Sequence, residues 1–154
     1  MTKCTAYYSS PIGVLEIQGS EEGIYSISFL DKAPSSGSPV PACLEECVSQ
    51  LDEYFHKKRK KFTLKLMPEG SEFQKMVWNE LMKIPFGKTY SYKDIAMKIK
   101  DEKFARAIGY ANGKNRIPII IPCHRIIANN GKMGGYSGGL SKKEWLLAHE
   151  GIRF

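Results

Sequence analysis

The feature that most constrains this chain is a polar interruption in an apolar run, Ile-Ile-Ile-Pro-Cys-His-Arg-Ile-Ile over residues 119–127. Cys123, His124 and Arg125 stand between β-branched residues, which are typical of buried strands. Ionisable groups seldom interrupt such a run by accident, because burying them without partners is costly. Pro122 cannot donate a ladder hydrogen bond, so we expect the preceding strand to end just before the thiol. The pattern predicts a strand on each side and a cysteine at the floor of a pocket.

Composition limits the class of protein. A chain of 154 residues, of which 42% are hydrophobic, suits one compact unit or two small domains packed together. Residues 1–4 show no pattern of a secretory signal, and no apolar run approaches the roughly 20 residues of a membrane-spanning helix. We therefore expect a soluble intracellular protein without a membrane partner, cytoplasmic or, in a eukaryote, nuclear.

The four cysteines favour neither disulfides nor a metal site. They are Cys4, Cys43, Cys47 and Cys123, and stable disulfides would need an oxidising compartment. Cys43 and Cys47 lie one helical turn apart, which we interpret as two small core residues. A zinc site would need further ligands at characteristic spacing, and none surrounds this pair. We expect neither a metal nor a cofactor.

The formal net charge of +7 fits a polyanionic partner. One cationic block, residues 56–61, follows a helical pattern, and blocks of this kind are usually solvated surface rather than a dedicated binding patch. A second concentration of basic residues runs from residue 83 to residue 125 and is interleaved with tyrosines and small residues. The second region is the better candidate for contact with nucleic acid.

The amino-terminal half has the pattern of a small sheet. Residues 6–30 alternate in hydrophobicity and are divided by turn signals at residues 10–13 and 21–23, which predicts an antiparallel sheet. A stretch rich in Pro, Ser and Gly over residues 33–41 predicts an exposed connection to the elements that follow.

A helix and a further strand follow this connection. Apolar residues at helical spacing predict the helix over residues 42–55, and alternation predicts the strand over residues 62–66. The pattern breaks at residues 67–70. We place the boundary there, which gives an amino-terminal domain of residues 1–67 and a carboxy-terminal domain of residues 68–154.

Helical patterns dominate the sequence after residue 70. Ser71 and Gln74 have the spacing of a capping box at the start of the first helix, which we expect to end before Pro85. Further helices are predicted after residue 91 and over residues 104–113, the last being rich in Ala and Gly. Two helices joined by a tight turn are typical of a helix-turn-helix. An ordinary helical hairpin would show the same pattern, but the basic surroundings favour DNA binding.

Cys123 is the candidate nucleophile, and a thiol reacts as the thiolate. His124 is its neighbour, but adjacent side chains of an extended chain point to opposite faces, so contact would need a bridging water or a local turn. Glu150, at the end of the last amphipathic helix, is the candidate acid that orients the histidine, although a structural glutamate is the alternative. The glycine-rich loop of residues 134–139 permits close approach of a planar ligand; a flexible connector would have the same composition.

Three motifs together resemble the DNA alkylguanine alkyltransferases. They are Pro-Cys-His-Arg at residues 122–125, the glycine-rich loop at residues 134–139, and Glu-Trp-Leu-Leu-Ala-His-Glu-Gly at residues 144–151. The resemblance is strong over residues 71–151 and weaker before them. It implies direct DNA repair, in which an alkyl group on O6 of guanine is transferred once to the cysteine, which is not regenerated. It leaves open whether O4 of thymine is also a donor.

The resemblance assigns roles around the thiol. Cys123 would accept the alkyl group, activated through His124 and a bound water, with Glu150 holding the imidazole. Tyr136 would donate to a ring nitrogen of the departing guanine. The other groups implied in substrate binding are the Ser137 amide facing O6, the carbonyls of Cys123 and Ile126 accepting from the exocyclic amine, and Pro118, Gly134 and Tyr136 around the alkyl group.

The same resemblance implies a monomer that binds double-stranded DNA containing O6-alkylguanine through the minor groove. The alkylated base would be flipped out of the duplex, at a cost of a few kcal/mol. Arg106 would fill the vacated stack, and Tyr92 would push on the neighbouring phosphate. Asn115 would join the recognition helix to the active-site strand through turn hydrogen bonds. The further residues expected at the DNA surface are Ala105, Gly109, Tyr110, Asn112 and Arg125.

This chain departs from the family pattern at several positions. Arg116 stands where many relatives have proline, and Tyr110 and Asn112 replace smaller or apolar residues of the recognition helix. Ser20 and Tyr25 stand where zinc-binding relatives carry cysteine and histidine, so no metal is expected there. Relatives that only sense lesions have tryptophan in place of the cysteine, which this chain retains.

The predicted fold class is α/β with two domains. A small ribonuclease-H-like α/β domain would precede a winged-helix-like helix-turn-helix domain that carries the active site. Two other functions stay open from the sequence. A module that binds alkylguanine without transfer would leave Cys123 unmodified. A cysteine hydrolase using Cys123, His124 and Glu150 would turn over repeatedly on a small acyl substrate and would not need DNA.

Overall fold

A computed structural model describes residues 3–34 and 39–154 and divides the chain into two compact units. Unit 1 is Met1–Glu69 and unit 2 is Gly70–Phe154. The division therefore follows Glu69, whereas the sequence places it after Met67. Residues 35–38 of the predicted exposed connection lie outside the described residues.

Unit 1 contains the predicted antiparallel sheet, in the order β1-β2-β3. The strands are β1 (Cys4–Ser10), β2 (Gly13–Ser20) and β3 (Gly23–Leu30). Successive side chains of a strand point to opposite faces, so the alternation in the sequence buries one face against the core. The buried residues of this face include Ala6, Leu15, Ile17 and Ile27.

The predicted helix of unit 1 begins with a 3-10 turn, Ala42–Leu44, which leads into α1 (Glu45–Phe55). Its inward face includes Cys47, Leu51 and Tyr54, all buried. Cys47 is thus a core residue, as the spacing indicates, and burial raises the pKa of its thiol to about 12. Cys43 is only partly buried.

The strand predicted over residues 62–66 is wrong. The segment makes only an isolated parallel bridge between Leu66 and Ile24. The reason is the side chain of Gln50, which accepts from the Thr63 amide at 2.9 Å and donates to the Thr63 carbonyl at 3.3 Å. Because Gln50 of α1 takes the amide and the carbonyl of Thr63, a neighbouring strand cannot form its hydrogen bonds with this residue.

Ser20 and Tyr25, where zinc-binding relatives carry ligands, bind each other. Their side-chain oxygens are 2.6 Å apart, and Ser20 is buried. This hydrogen bond joins the end of β2 to β3 directly. Within residues 3–34 and 39–154, no cluster of three or more His, Cys, Asp or Glu side chains is arranged to hold a metal ion.

Unit 2 is mainly helical and also contains a parallel pair of short strands. Its elements are α2 (Glu72–Leu81), β4 (Tyr90–Ser91), α3 (Tyr92–Ile99), α4 (Ala105–Gly113), β5 (Ile126–Ile127) and α5 (Leu140–His149). Helices α2, α3 and α4 pack on one another around buried Trp78, Ile95 and Ile108. The Trp78 indole also donates to the Ala111 carbonyl at 2.9 Å, which ties α2 to α4.

Helices α2 and α3 of unit 2 begin at side-chain caps. The predicted capping box is confirmed: Ser71 accepts from the Gln74 amide at 3.1 Å, and the Gln74 side chain accepts from the Ser71 amide at 3.0 Å. Ser91 and Asp94 repeat this arrangement at the start of α3. Among the described helices, none combines the length and the apolar character needed to cross a membrane.

The segment before Cys123 is not the predicted strand. Ile119 has a φ of 76°, and the Ile121 amide donates to the Ile117 carbonyl at 2.9 Å, which closes a tight loop. The Asn115 side chain holds this loop: it accepts from the Ile117 amide at 2.9 Å and donates to the Ile121 carbonyl at 2.8 Å. These bonds take backbone groups that a strand would need. The strand predicted after the cysteine is present as β5.

Candidate active site

Cys123 begins a buried 3-10 turn, Cys123–Arg125, that leads into β5. The residue is only 2% exposed. Burial raises the pKa of the Cys123 thiol to about 11, although the nearby side chains of Asn115 and Tyr136 and the charge of Lys143 act in the opposite direction. The resting cysteine is therefore a thiol at neutral pH, and its reaction as a nucleophile requires a proton acceptor.

His124 and Glu150 form a buried pair. The imidazole Nε2 lies 2.7 Å from Glu150 Oε2, and neither side chain is exposed. The carboxylate therefore assigns the hydrogen to Nε2 and makes Nδ1 an acceptor. Nδ1 is buried and has no hydrogen-bond partner among the described protein atoms. Burial lowers the pKa of His124; Glu150 opposes this effect, and the charges of Arg125 and Lys143 add to it.

Arg125, which we expected at the DNA surface, is buried, and its contact with DNA stays a prediction. Its Nε and Nη2 donate to the two carboxylate oxygens of Glu150 at 2.8 and 3.0 Å. Its Nη1 donates to the Ile84 carbonyl at 2.7 Å, and the guanidinium lies 5.9 Å from the centre of the Phe86 ring. A buried carboxylate needs an opposite charge beside it, and Arg125 supplies that charge.

Glu150 follows the last residue of α5, and its carboxylate accepts hydrogen bonds from three residues. In addition to the imidazole and the bidentate guanidinium, the Gly87 amide donates to its Oε1 at 3.2 Å. Burial alone would raise the pKa of the carboxyl, but the hydrogen bonds from His124 and Arg125 and the charge of Arg125 outweigh burial and hold the pKa well below its ordinary range. Glu150 is therefore ionised at neutral pH.

Lys143 belongs to the site and has no place in the sequence prediction. Its residue is fully buried in α5, and its ammonium donates to the carbonyls of Ile126 at 2.6 Å and Gly135 at 2.8 Å. The contact joins β5 to the glycine-rich loop. Burial lowers the pKa of Lys143 to about 8, and the nearby Cys123 opposes this effect. Its spacing from Leu146 and Leu147 on the inward face of α5 is the signal that could have found it.

The glycine-rich loop passes close to the thiol. Gly134 has a φ of 77°, and a Cβ there would lie 3.2 Å from the Ala128 amide nitrogen and 3.6 Å from the Tyr92 hydroxyl, so a larger residue would strain the loop. Burial and the Cys123 thiol raise the pKa of Tyr136 well above its ordinary value, which keeps the phenol protonated as a donor. Ser137 is exposed on the same loop, whereas Pro118 is buried.

Asn112, which we expected to contact DNA, is buried on the recognition helix, and its contact with DNA stays a prediction. It is 5% exposed, and its Nδ2 donates to the Cys123 carbonyl at 3.4 Å. Its Oδ1 is buried without a hydrogen-bond partner among the described atoms. The physical reason is helical spacing: Ile108, Ala111 and Asn112 share the inward face of α4. The two carbonyls expected to bind the guanine amine, those of Cys123 and Ile126, thus already accept from side chains.

The other residues expected at the DNA surface lie on or beside α4. Arg106 is exposed, and Tyr110 is 66% exposed with the Lys114 ammonium 5.4 Å from the centre of its ring. Gly109 of α4 faces Tyr92: a Cβ there would lie in ordinary contact, 3.6 Å from the Tyr92 ring. Tyr92 itself is half-buried, and burial and the charge of Cys123 raise its pKa. Ala105 is partly buried at the first turn of α4.

Two family models match this chain. The ribonuclease-like domain of 6-O-methylguanine DNA methyltransferase matches residues 4–68, and its DNA binding domain matches residues 72–152. A protein of Methanosarcina acetivorans named methylated-DNA–protein-cysteine methyltransferase is 45% identical over 151 residues, which cover 95% of this chain and 97% of the relative. The human protein of the same name is 38% identical over 162 residues, covering 94% and 78% of the two chains.

Solved structures agree with these matches. The crystal structure of Mycobacterium tuberculosis O6-methylguanine methyltransferase superimposes with a TM-score of 0.86 at 38% identity, covering 99% of this chain and 95% of the other. OGT of the same organism in complex with DNA superimposes with a TM-score of 0.85, covering 97% and 92%. The sequence and the fold of both units thus lead to one family, and this chain belongs to the methylated-DNA–protein-cysteine methyltransferases.

Proposed function

We propose that this protein repairs DNA by transferring an alkyl group, foremost methyl, from O6 of guanine to Cys123 in a single irreversible step. The observation that carries the proposal is the arrangement in unit 2: the buried thiol of Cys123 precedes, in one tight turn, a histidine that forms a buried imidazole–carboxylate pair with Glu150. The nucleophile and its candidate base thus occupy the unit that also contains the helix-turn-helix.

The chemical step is a displacement at a saturated carbon. The thiol proton passes to His124 Nδ1 through a bound water, since Nδ1 is the free acceptor of the imidazole and Glu150 holds the other nitrogen. The thiolate then forms the S–C bond while the bond between that carbon and guanine O6 breaks. Guanine leaves with the electron pair of the broken O6–C bond as an anion, to which Tyr136 donates a hydrogen bond at the ring nitrogen. The proton that His124 took from the thiol then returns through water to the guanine, which restores the neutral base and the neutral imidazole. The thioether that results cannot return to a thiol.

The proposed base-binding groups surround the thiol. The Cys123 and Ile126 carbonyls are the proposed acceptors of the exocyclic amine. The amine would replace the 3.4 Å bond from Asn112 to the Cys123 carbonyl, which also accepts from the Ile126 amide, and it would share the Ile126 carbonyl with Lys143. The Ser137 amide faces O6. Gly134 and Pro118 leave space for the alkyl group.

The proposal predicts that each protein molecule repairs one O6-methylguanine and then stops, and this stoichiometry is its test. With duplex DNA containing O6-methylguanine in excess, the amount repaired should rise to one methyl group per protein molecule and stop. Fresh DNA added after the plateau should remain unrepaired. Continued turnover would instead favour a cysteine hydrolase. Binding of the methylated duplex without any loss of methyl would favour a module that only recognises the lesion.

The partner proposed is double-stranded DNA that contains O6-alkylguanine. The base must leave the stack to reach a buried thiol, and we assign Arg106 the position that the base vacates. Arg106 and Tyr110 lie on the exposed side of α4, and the exposed Lys114 follows directly after the helix, so that all three can face the DNA backbone and minor groove. A monomer in the cytoplasm, or in the nucleus of a eukaryote, suffices for this reaction.

Arg106→Ala should reduce transfer from duplex DNA more than transfer from single-stranded DNA. Filling the vacated stack matters only in a duplex, where flipping costs a few kcal/mol, so we expect a loss of about 10- to 100-fold on duplex and less than about threefold on single strands. Single-turnover rates on the two substrates measure this ratio. Arg153→Ala, which removes the same charge from an exposed position after α5, is the control. Equal losses on both substrates would contradict the role of Arg106.

A further inference from the structure

Arg125 is the feature of the site that the transfer mechanism does not use. It is buried, and it holds both oxygens of the carboxylate that also holds His124. Oε2 of Glu150 is shared: it accepts from the imidazole at 2.7 Å and from the guanidinium at 3.0 Å. One negative charge is therefore balanced by a permanent positive charge before the imidazole takes any proton.

We propose that Arg125 is a positioning residue that sets the charge state of the proton relay: by neutralising Glu150, it leaves His124 a neutral imidazole whose Nδ1 can accept the thiol proton. The inference rests on the proposed function of Cys123. It assigns to the arginine of the Pro-Cys-His-Arg motif a task within the reaction instead of a contact with DNA.

The argument is electrostatic. A histidine paired with a buried carboxylate alone is stabilised as imidazolium, and an imidazolium has no lone pair with which to accept a proton. A second positive charge on the same carboxylate removes that stabilisation. The guanidinium stays charged at every pH of interest and is held in place by two carboxylate bonds and the Ile84 carbonyl, so its effect is constant.

The other charged and titratable groups around the relay act in known directions. Lys143 of α5 is a cation and also disfavours the imidazolium, whereas Glu150 of the same helix favours it. Cys123 precedes the imidazole in the turn, and the phenols of Tyr92 and Tyr136 face the thiol, both with a raised pKa. Arg125 is distinguished from Lys143 by direct contact with the carboxylate, since Lys143 binds the Ile126 and Gly135 carbonyls.

The variants that test the proposal are Arg125→Gln, which removes the charge, and Arg125→Lys, which keeps the charge but not the bidentate geometry. The single-turnover rate of methyl transfer is measured against pH with a saturating amount of protein over a short O6-methylguanine oligonucleotide. Without the guanidinium the acidic limb of the profile should move to higher pH by about one unit or more in Arg125→Gln. It should stay within about half a unit of the wild type in Arg125→Lys. Arg153→Gln, an exposed charge removal, should leave the limb in place.

Each outcome of these experiments either supports or overturns the proposed role of Arg125. An unmoved limb in folded Arg125→Gln, or equal shifts in the Gln and Lys variants, would overturn the proposal, because geometry alone would then explain the residue. Transfer to Cys123 at the alkaline plateau of every variant reports on the proposed function separately. Since Arg125→Gln leaves a buried carboxylate with one partner and is at risk of not folding, the wild type is also titrated by NMR of its three histidines. A His124 ring that is neutral and protonated on Nε2 at pH 7 supports the proposal, and a doubly protonated ring overturns it.

Discussion

Replacing Cys123 with alanine will abolish methyl transfer while leaving the fold and the binding of methylated DNA intact. The side chain is small, and its loss removes only the sulfur from a turn that backbone bonds and Asn115 hold in place. No other cysteine can substitute: Cys4, Cys43 and Cys47 all belong to unit 1. Transfer of a labelled methyl group from DNA to protein should fall to background.

The same variant has to keep its affinity for DNA. Because the DNA-facing residues lie on α4 and not on the thiol turn, the dissociation constant for methylated duplex should remain within about threefold of the wild type. Cys47→Ala, which removes another buried thiol, is the matched control and should transfer normally, although at lower stability. Residual transfer by Cys123→Ala above background would mean that the acceptor is another residue.

Replacing Glu150 with glutamine will lower both the rate and the stability. The amide cannot balance Arg125, which is left as a buried charge without a counterion, so the free energy of unfolding should fall by about 3–5 kcal/mol. The imidazole also loses the carboxylate that orients it, and the transfer rate should fall by about 100-fold or more. Urea unfolding and single-turnover transfer at pH 7 measure the two losses. Glu144→Gln, exposed on the same helix, should change neither.

The effect of this substitution on stability depends on pH. The pKa of Glu150 is lower in the folded protein than the value of about 4.3 expected for an unfolded chain, so its contribution to stability is fully present above that pH and is lost as the pH falls below it. The stability difference between the wild type and Glu150→Gln should therefore shrink when unfolding is measured at about pH 3.5 instead of pH 7. A difference that stays constant over this range would contradict the assigned ionisation.

Local patterns in the sequence correctly predict the capping box of α2 and the sheet of unit 1. The capping box at Ser71 depends on residues three apart, and the three-stranded sheet depends on alternation and turns, so both can be found without knowledge of the fold. The two failed strands have a common cause. The side chain of Gln50 binds the backbone of Thr63, and that of Asn115 binds the backbone of Ile117 and Ile121, so these groups are not available to pair with a strand.

The candidate active site likewise contains residues that the sequence identifies and residues whose position only the structure reveals. The side-chain chemistry of Cys123, His124 and Glu150 makes each a candidate for catalysis from the sequence alone. The positions of Arg125, Asn112 and Lys143 depend on which way a polar side chain faces once the helices pack. A basic residue in a basic protein fits a DNA surface equally well, so only the structure reveals the contacts between Arg125 and Glu150.

The central claim is that Cys123 is a consumable acceptor of an alkyl group from DNA. Mass spectrometry of the intact protein after reaction with duplex DNA carrying an isotopically labelled methyl on guanine O6 tests it directly. We expect every reacted molecule to gain one labelled methyl group in place of a hydrogen, with peptide mapping that places it on Cys123 and an equal amount of unmodified guanine left in the DNA. A protein mass that is unchanged while the DNA loses its methyl groups, or a label on any other residue, would contradict the account.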